Sequence, residues 1–182
     1  MSKKNTSRNI ILIVIGMVLF IILLIFIVNS GSSLKKNITN TNNQSNNIAP
    51  TVAFMNSNNQ LVNIGGAGSQ TQVLFIMEAG CADCAVLSKE LSTISSLYNN
   101  VKFYGVDINS ADTYSELLPW IHSITNGNGK VSYLISKSSA FLEDYKVTSL
   151  DTVYIINKNG DLVYSKVLPS ESSLKKALSY IS

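Results

Sequence analysis

The sequence predicts an α/β domain, with a mixed sheet and helices on both faces, preceded by one N-terminal transmembrane helix. Short apolar runs alternate with helical patterns along residues 51–182, and the order ends in an antiparallel pair and a helix, which favours a mixed sheet. Residues 10–28 are nineteen consecutive residues without a charge. Asp, Glu, Lys and Arg make up 14% of the chain, against about 25% in typical soluble domains. This low charge content indicates that part of the chain lies outside water.

The apolar run at residues 10–28 is predicted to be an uncleaved signal anchor, because about 20 apolar residues span a bilayer as a helix. A cleaved signal peptide is the alternative. Its apolar region is usually about 7–15 residues long and is followed by a small-x-small cleavage site. Here the run is longer, and Val28-Asn29-Ser30 matches such a site poorly.

The charges on either side of this run orient it. The basic residues are Lys3, Lys4 and Arg8 before the run and Lys35 and Lys36 after it. The first three lie close to the run and the other two lie seven or more residues beyond it. By the positive-inside rule, residues 1–9 are a cytoplasmic tail and the rest of the chain after the run is extracytoplasmic. The predicted location is therefore the cell membrane, as a single-pass protein.

Residues 29–50 are predicted to be a flexible linker, because they are rich in Asn and Ser and show no apolar periodicity. Such a composition cannot bury enough surface to offset the entropy of ordering. The folded domain is therefore predicted to cover residues 51–182.

The first half of this domain opens with a hairpin, since Thr51–Met55 and Leu61–Ile64 flank the turn-forming residues 56–59. Gln72–Met77 is a continuous apolar run, typical of a strand that is buried on both faces. A helix is predicted after it, and its apolar stripe is Leu87, Leu91, Ile94 and Tyr98. Val101–Ile108 is predicted as a second buried strand.

The second half continues the alternation and ends in a hairpin and a helix. Its predicted elements are the helix Tyr114–Ile124, the strand Val131–Ile135, the short helix Ser138–Tyr145, the strands Thr152–Asn157 and Asp161–Val167, and a closing helix capped by Ser170. Pro119 is expected to kink or split the first of these helices. Asn159-Gly160 is the strongest short hairpin signal and lies between the last two strands.

Charge and residue counts exclude several classes of function. Residues 50–182 hold nine lysines, no arginine and eleven acids, a net charge of −2, which excludes a nucleic-acid-binding protein. Two cysteines and one histidine are too few for a disulfide scaffold or a four-ligand Cys/His zinc site. The single histidine, His122, is predicted to lie on a helix surface rather than to act as a ligand or a base.

Both cysteines lie in one Cys81-Ala-Asp-Cys84 motif, at the point where a buried strand is followed by a helix. Cys81 is predicted in the first turn of that helix, where free backbone N–H groups and the positive end of the dipole stabilise a thiolate. Cys84 follows one turn later, within reach of a disulfide. The motif therefore favours thiol–disulfide exchange, in which Cys81 attacks and Cys84 resolves the mixed disulfide.

Three other interpretations of the motif stay open. A static disulfide would close so small a loop that it would add little stability. Half of a metal site would need further ligands, since zinc takes four. The two cysteines could also be inert thiols of the core.

Two stretches carry a resemblance to a known family. Gln72–Tyr98 resembles the strand, active site and first helix of the thioredoxin superfamily. Tyr145–Gly160, which reads YKVTSLDTVYIINKNG, resembles the stretch YGVxxxPTxxxIDxxG of membrane-anchored, TlpA- and ResA-like thioredoxins. The resemblance covers about residues 51–182.

The resemblance implies an extracytoplasmic thiol–disulfide oxidoreductase that uses Cys81 and Cys84 and needs no cofactor. Many members of this branch act as reductants. The implied substrates are protein disulfides, including those of cytochrome c apoprotein, and the implied electron donor is a membrane protein of the CcdA or DsbD type.

The sequence departs from the family pattern around the motif. Gly80 stands where the family usually has Trp, and Asp83 stands where Pro is common. Asp151 aligns with the cis-proline that faces the cysteines in the family. A cis bond before Asp would cost about 2.5–4 kcal/mol, so the Leu150–Asp151 bond is predicted to be trans. The residues predicted to shape the substrate groove and tune its chemistry are Gly80, Asp83, Leu150 and Asp151.

The acidic residues near the motif favour a reductant. Asp83, Asp151 and Glu78 would place negative charge beside Cys81, which disfavours its thiolate, and a destabilised thiolate is typical of reducing rather than oxidising dithiols. The alternative function is a thioredoxin-fold metal or copper carrier, with Cys81 and Cys84 as ligands, or a partner-binding module with weakened redox activity. A peroxide-reducing enzyme is a weaker third possibility, because it would want an arginine that residues 50–182 lack.

Overall fold

The computed structural model describes residues 47–127 and 129–181. The strands are β1 (Val52–Met55), β2 (Leu61–Ile64), β3 (Thr71–Met77), β4 (Val101–Asp107), β5 (Val131–Ile135), β6 (Thr152–Ile156) and β7 (Leu162–Val167). The helices are α1 (Ala82–Ser95), α2 (Tyr114–Thr125), α3 (Ala140–Asp144) and α4 (Glu171–Ser179).

The strands form one seven-stranded mixed sheet in the order β2-β1-β5-β4-β3-β6-β7. β3, β4 and β5 are parallel to one another, as expected of strands joined by helices. β6 runs antiparallel to β3, and β7 runs antiparallel to β6. At the other edge, β1 and β2 form an antiparallel hairpin. β3 thus has a strand on each side and is buried along its whole length.

The side chains of β3 alternate between two apolar clusters, one on each face of the sheet. Val73, Phe75 and Met77 join a larger cluster that contains residues of α1, α2 and α4. Leu74 and Ile76 join a second cluster, which contains Phe141 of α3 and residues of β1 and β2. The predicted α/β class, with a mixed sheet and helices on both faces, is therefore confirmed.

The predicted strands and helices are all present, with bounds that differ from the expected ones by a few residues at most. α2 runs through Pro119 as one continuous helix, so the proline does not split it. Pro119 is the sixth of the twelve residues of α2, and it removes one backbone hydrogen bond, to the carbonyl four residues earlier.

The ordered domain begins earlier than the predicted boundary at Thr51. Ala49 is buried, its N–H donates to the carbonyl of Gly160 (2.8 Å), and its carbonyl accepts from Gly66 N–H (3.0 Å). The carbonyl of Asn47 accepts from Leu162 N–H (2.8 Å). The last four residues of the predicted linker are therefore packed on the domain.

The predicted cytoplasmic tail, the predicted anchor at residues 10–28 and the linker up to residue 46 lie outside the described residues. Within the described part of the chain, no helix is long and apolar enough to cross a membrane.

Candidate functional site

The site lies where the ends of three central strands, β3, β4 and β6, come together. These strand ends carry its polar side chains. β3 ends at Met77, which pairs with Asp107 at the end of the parallel strand β4. β6 is antiparallel to β3, so the residue that precedes β6 lies at the same end of the sheet. This residue is Asp151, whose N–H donates to the carbonyl of Ile76 (2.9 Å). The topology thus brings Asp151 to the cysteine motif that follows β3.

The cysteine motif forms the start of α1. Cys81 is the N-cap residue, and its Sγ accepts a hydrogen bond from the N–H of Cys84 at 3.3 Å. Its side chain is partly exposed, whereas that of Cys84 is completely buried. One sulfur is therefore accessible and the other is shielded behind it, which is the arrangement that the sequence predicts for an attacking and a resolving thiol.

Asp151 faces both cysteines. A carboxylate oxygen of Asp151 and the two Sγ atoms of Cys81 and Cys84 all lie within 4.8 Å of one another. The residue is 6% exposed, and its Oδ1 has no hydrogen-bond partner of ordinary geometry among the described residues. Its peptide bond to Leu150 is trans, as predicted. Its φ is +60°, in the left-handed region that Asp tolerates better than most residues.

The environment raises the pKa values of both buried groups, Cys84 and Asp151. Burial raises the pKa of the Cys84 thiol well above its ordinary value, and the neighbouring Cys81 thiol and Asp151 carboxyl group raise it further. Burial also raises the pKa of the Asp151 carboxyl group. The Cys84 thiol opposes this shift, whereas the negative charge of Asp83 adds to it.

Sequence reasoning missed a buried carboxyl group at this end of the sheet, that of Asp107. It is fully buried, and it accepts hydrogen bonds from the N–H groups of Ala79 (3.3 Å) and Asn109 (2.9 Å). Ala79 lies in the loop between β3 and Cys81, so Asp107 fixes the position of that loop. Burial raises its pKa to about 6. An acid as the last residue of the apolar strand Val101–Asp107 is the signal that could have identified it.

The other predicted groove residues adjoin Cys81, Cys84 or Asp151 in the chain, and His122 does not. Gly80 is exposed with φ +82°, and a Cβ there would meet no atom within 4 Å. Leu150 and Cys81 both pack partly buried against the larger core cluster. Asp83 is exposed in the first turn of α1. His122 is exposed in the last turn of α2, away from the motif in sequence, and its predicted surface position is confirmed.

Comparisons with known proteins establish the fold. No protein-family model matches the chain. The structure is similar to a thioredoxin-like protein from Aeropyrum pernix, with a TM-score of 0.62 and 17% identity over 72% of this chain and 89% of that one. It is also similar to the thioredoxin domain of a thiol-disulfide oxidoreductase from Bacteroides vulgatus, with a TM-score of 0.63 and 13% identity over 75% of this chain and 97% of that one. The chain has a thioredoxin-like fold.

A curated relative is similar in sequence as well. The protein called mercury resistance operon ORF3, from Streptomyces lividans, is 24% identical over 134 residues, which are 71% of this chain and 68% of that protein. Within the thioredoxin-like fold, the partly exposed Cys81, the buried Cys84 and the carboxylate of Asp151 can together perform thiol chemistry or hold an ion.

Proposed function

We propose that this protein is a membrane-tethered, extracytoplasmic thiol–disulfide oxidoreductase that reduces protein disulfides through Cys81 and Cys84. The observation that carries the proposal is the pairing of the two sulfurs at the start of α1. Cys81 Sγ is partly exposed and accepts the N–H of Cys84, while the Cys84 side chain lies completely buried one helical turn later.

The first step is an attack by the Cys81 thiolate on a substrate disulfide. A bond forms between Cys81 Sγ and one substrate sulfur, the substrate S–S bond breaks, and the other substrate sulfur leaves as a thiolate that takes a proton from water. The N–H of Cys84 and the positive end of the α1 dipole stabilise the negative charge on Cys81 Sγ before the attack.

The second step is an attack by Cys84 on Cys81 Sγ. It forms the Cys81–Cys84 disulfide and releases the second substrate sulfur, so that the substrate gains the two electrons that the cysteine pair loses. The Cys84 thiol must lose its proton in this step, although burial raises its pKa. The carboxylate of Asp151 lies beside the Cys84 thiol and is placed to accept that proton.

The direction of electron flow follows from the charge around the pair. Strongly oxidising dithiols owe their potential to a stabilised thiolate. Here the carboxylate of Asp151 faces the pair, and the negative charge of Asp83 lies close enough to raise the pKa of Asp151. Asp151 disfavours the thiolate of Cys84, and a dithiol without a stabilised thiolate is typical of a reductant, which a membrane electron donor of the CcdA or DsbD type would keep reduced. Cytochrome c apoprotein is one candidate substrate.

Residues 10–28 act as the membrane anchor in this proposal, because they are nineteen uncharged, predominantly apolar residues preceded by basic ones. Deletion of residues 1–28 should move the chain from the membrane fraction to the soluble fraction. Retention of the shortened chain in the membrane would contradict this assignment.

The activity is tested by reduction of insulin disulfides by the full chain in detergent, with a thiol as the electron source. We expect Cys81→Ser to abolish catalysis. Cys84→Ser should accumulate a mixed disulfide between Cys81 and the substrate, which mass spectrometry detects. Ala82→Ser is a matched control, since it places the same side chain on an exposed neighbouring position, and it should retain activity.

Two results would contradict the proposal. One is insulin reduction that does not depend on Cys81. The other concerns the direction of transfer, which equilibration in graded dithiol/disulfide buffers measures. We expect a two-electron transition near or below about −250 mV, close to thioredoxin at about −270 mV. A value near about −120 mV would identify an oxidant instead.

A further inference from the structure

The cysteine site at the start of α1 can support a second chemistry, because three potential metal ligands converge there. Cys81 Sγ, Cys84 Sγ and a carboxylate oxygen of Asp151 lie within 4.8 Å of one another. The ligand atoms of one tetrahedral zinc ion lie about 3.4–3.8 Å apart, since Zn–S and Zn–O bonds are about 2.3 and 2.0–2.2 Å long. Small side-chain movements would therefore bring all three atoms to one ion.

The state of Asp151 is an independent sign of a ligand. Its side chain is more than nine-tenths buried, and Oδ1 has no hydrogen-bond partner of ordinary geometry in the part of the chain that the structure describes. A buried carboxylate oxygen without a partner is unfavourable, and a bound cation removes that penalty. Its backbone is fixed on both sides, by Asp151 N–H to the carbonyl of Ile76 (2.9 Å) and by Leu168 N–H to the carbonyl of Asp151 (2.9 Å). The carboxylate is therefore held in place toward the sulfurs.

We propose that the reduced protein binds one zinc-class divalent ion through Cys81 Sγ, Cys84 Sγ and the carboxylate of Asp151, with the fourth position open. Binding forms three metal–ligand bonds and releases one proton from each thiol. No electron is transferred. This proposal goes beyond the oxidoreductase function, because it needs no disulfide substrate.

The donor set selects the class of ion. Two thiolates exclude Mg²⁺ and Ca²⁺, which prefer oxygen ligands. Very soft ions such as Hg²⁺ can be satisfied by the two thiolates alone. A carboxylate beside two thiolates suits a borderline ion such as Zn²⁺ or its spectroscopic substitute Co²⁺. The fourth position faces the open side, since Cys81 is partly exposed and a Cβ on Gly80 would meet no atom within 4 Å.

The site is also coupled to the redox state of the pair. A Cys81–Cys84 disulfide removes both thiolates, so oxidation releases the ion, and the bound ion in turn shields the thiols from oxidation. The metal and the disulfide thus exclude each other.

The test is a zinc titration of the full chain in detergent, reduced with a phosphine, in competition with a chromophoric chelator. We expect one Zn²⁺ per chain, and none after oxidation of the pair. With Co²⁺, we expect thiolate-to-metal charge-transfer bands and the intense d–d bands of a four-coordinate site. Asp151→Asn keeps the shape of the side chain and tolerates the left-handed backbone. It should weaken Zn²⁺ binding at least about tenfold, and leave Hg²⁺ binding unchanged.

Asp144→Asn is the matched control, since it removes an exposed carboxylate on α3, and it should bind Zn²⁺ like the parent chain. Asp83→Asn removes an exposed charge near Asp151 and should weaken binding less than Asp151→Asn does. Far-UV circular dichroism of each variant shows whether it is folded. If Asp83→Asn and Asp151→Asn lost equal Zn²⁺ affinity, charge rather than ligation by Asp151 would attract the ion. If the folded, reduced parent chain took up no Zn²⁺, the proposed site would be wrong. Insulin reduction in metal-free buffer reports separately on the oxidoreductase function.

Discussion

Asp107 is a carboxyl group with no exposed surface, held between the N–H groups of Ala79 and Asn109. Its pKa in the folded protein is about 6, above the ordinary value of 3.8, and burial is the main cause. Between these two values the folded state binds more protons than the unfolded state does. The contribution of this group to stability is therefore complete below about pH 4 and is lost as the pH rises to about 6.

We predict that the free energy of unfolding of the parent chain falls between pH 4 and 6, relative to that of Asp107→Asn, by about 1–3 kcal/mol. Denaturant titrations of both proteins across this range measure the difference. The constant loss of one hydrogen bond in the variant does not affect the test, because the prediction concerns the change with pH. Parallel curves would show that Asp107 ionises normally.

Asp151 shows what sequence reasoning at this scale can and cannot supply. Alignment of Tyr145–Gly160 with a family motif predicted its place beside the cysteines, and the structure has it there. Its left-handed backbone and its unpartnered Oδ1 were not predictable. Both depend on hydrogen bonds with Ile76 and Leu168, which are distant in sequence and are set by the register of β6.

At the scale of elements, apolar periodicity was enough to predict the strands and helices, because β3 and its neighbours are buried on both faces and the main helices on one. The turns are set by local chemistry instead. In the hairpin between β6 and β7, the side-chain Oδ1 of Asn157 accepts the N–H groups of Asn159 and Asp161, both at 2.9 Å. Gly160 completes this turn with φ +88°.

Two glycines with nearly the same φ allow a matched test of this turn. Gly160→Ala should destabilise the domain more than Gly80→Ala, although both have a φ above +80°. A Cβ at Gly160 would lie 2.6 Å from the backbone of Gly66 and Ala67, whereas one at Gly80 would meet nothing within 4 Å. We expect a loss of about 1–2 kcal/mol at Gly80 from backbone strain alone. At Gly160 we expect a further loss of about 1–3 kcal/mol from overpacking.

Thermal or denaturant unfolding measures the free energy of unfolding of Gly160→Ala and Gly80→Ala relative to the parent chain. Equal losses would mean that the segment around Gly66 moves aside without penalty, and that its contact with the hairpin contributes nothing to stability.

The segment Asn47–Pro50 belongs to the folded domain. Its backbone bonds reach β7, the turn before β7 and the loop after β2, and the carbonyl of Pro50 accepts the hydroxyl of Tyr145 (2.7 Å). Sequence reasoning placed these residues in the linker because backbone hydrogen bonds leave no pattern in composition. The only buried apolar side chain among them is that of Ala49.

Adjacent substitutions in the full chain test this boundary. Ala49→Asp buries a charge at a position that is 2% exposed and should lower the free energy of unfolding by more than about 2 kcal/mol. Ile48→Asp introduces the same group one residue earlier, at a position that is 48% exposed, and should cost less than about 1 kcal/mol. Denaturant titration measures both, and similar small losses would place the boundary back at Thr51.

Cys84 belongs to the larger apolar cluster, with Leu174 and Leu178 of α4, so its chemistry takes place inside the core. Oxidation and unfolding form a closed thermodynamic cycle. The difference in unfolding free energy between the disulfide and dithiol forms therefore equals the difference in reduction potential between the unfolded and the folded cysteine pair, with about 30 mV for each 1.4 kcal/mol. If the folded pair is more reducing than the unfolded pair, the chain must accordingly be harder to unfold as the disulfide than as the dithiol. A pair of denaturation curves is, for this molecule, an electrochemical measurement.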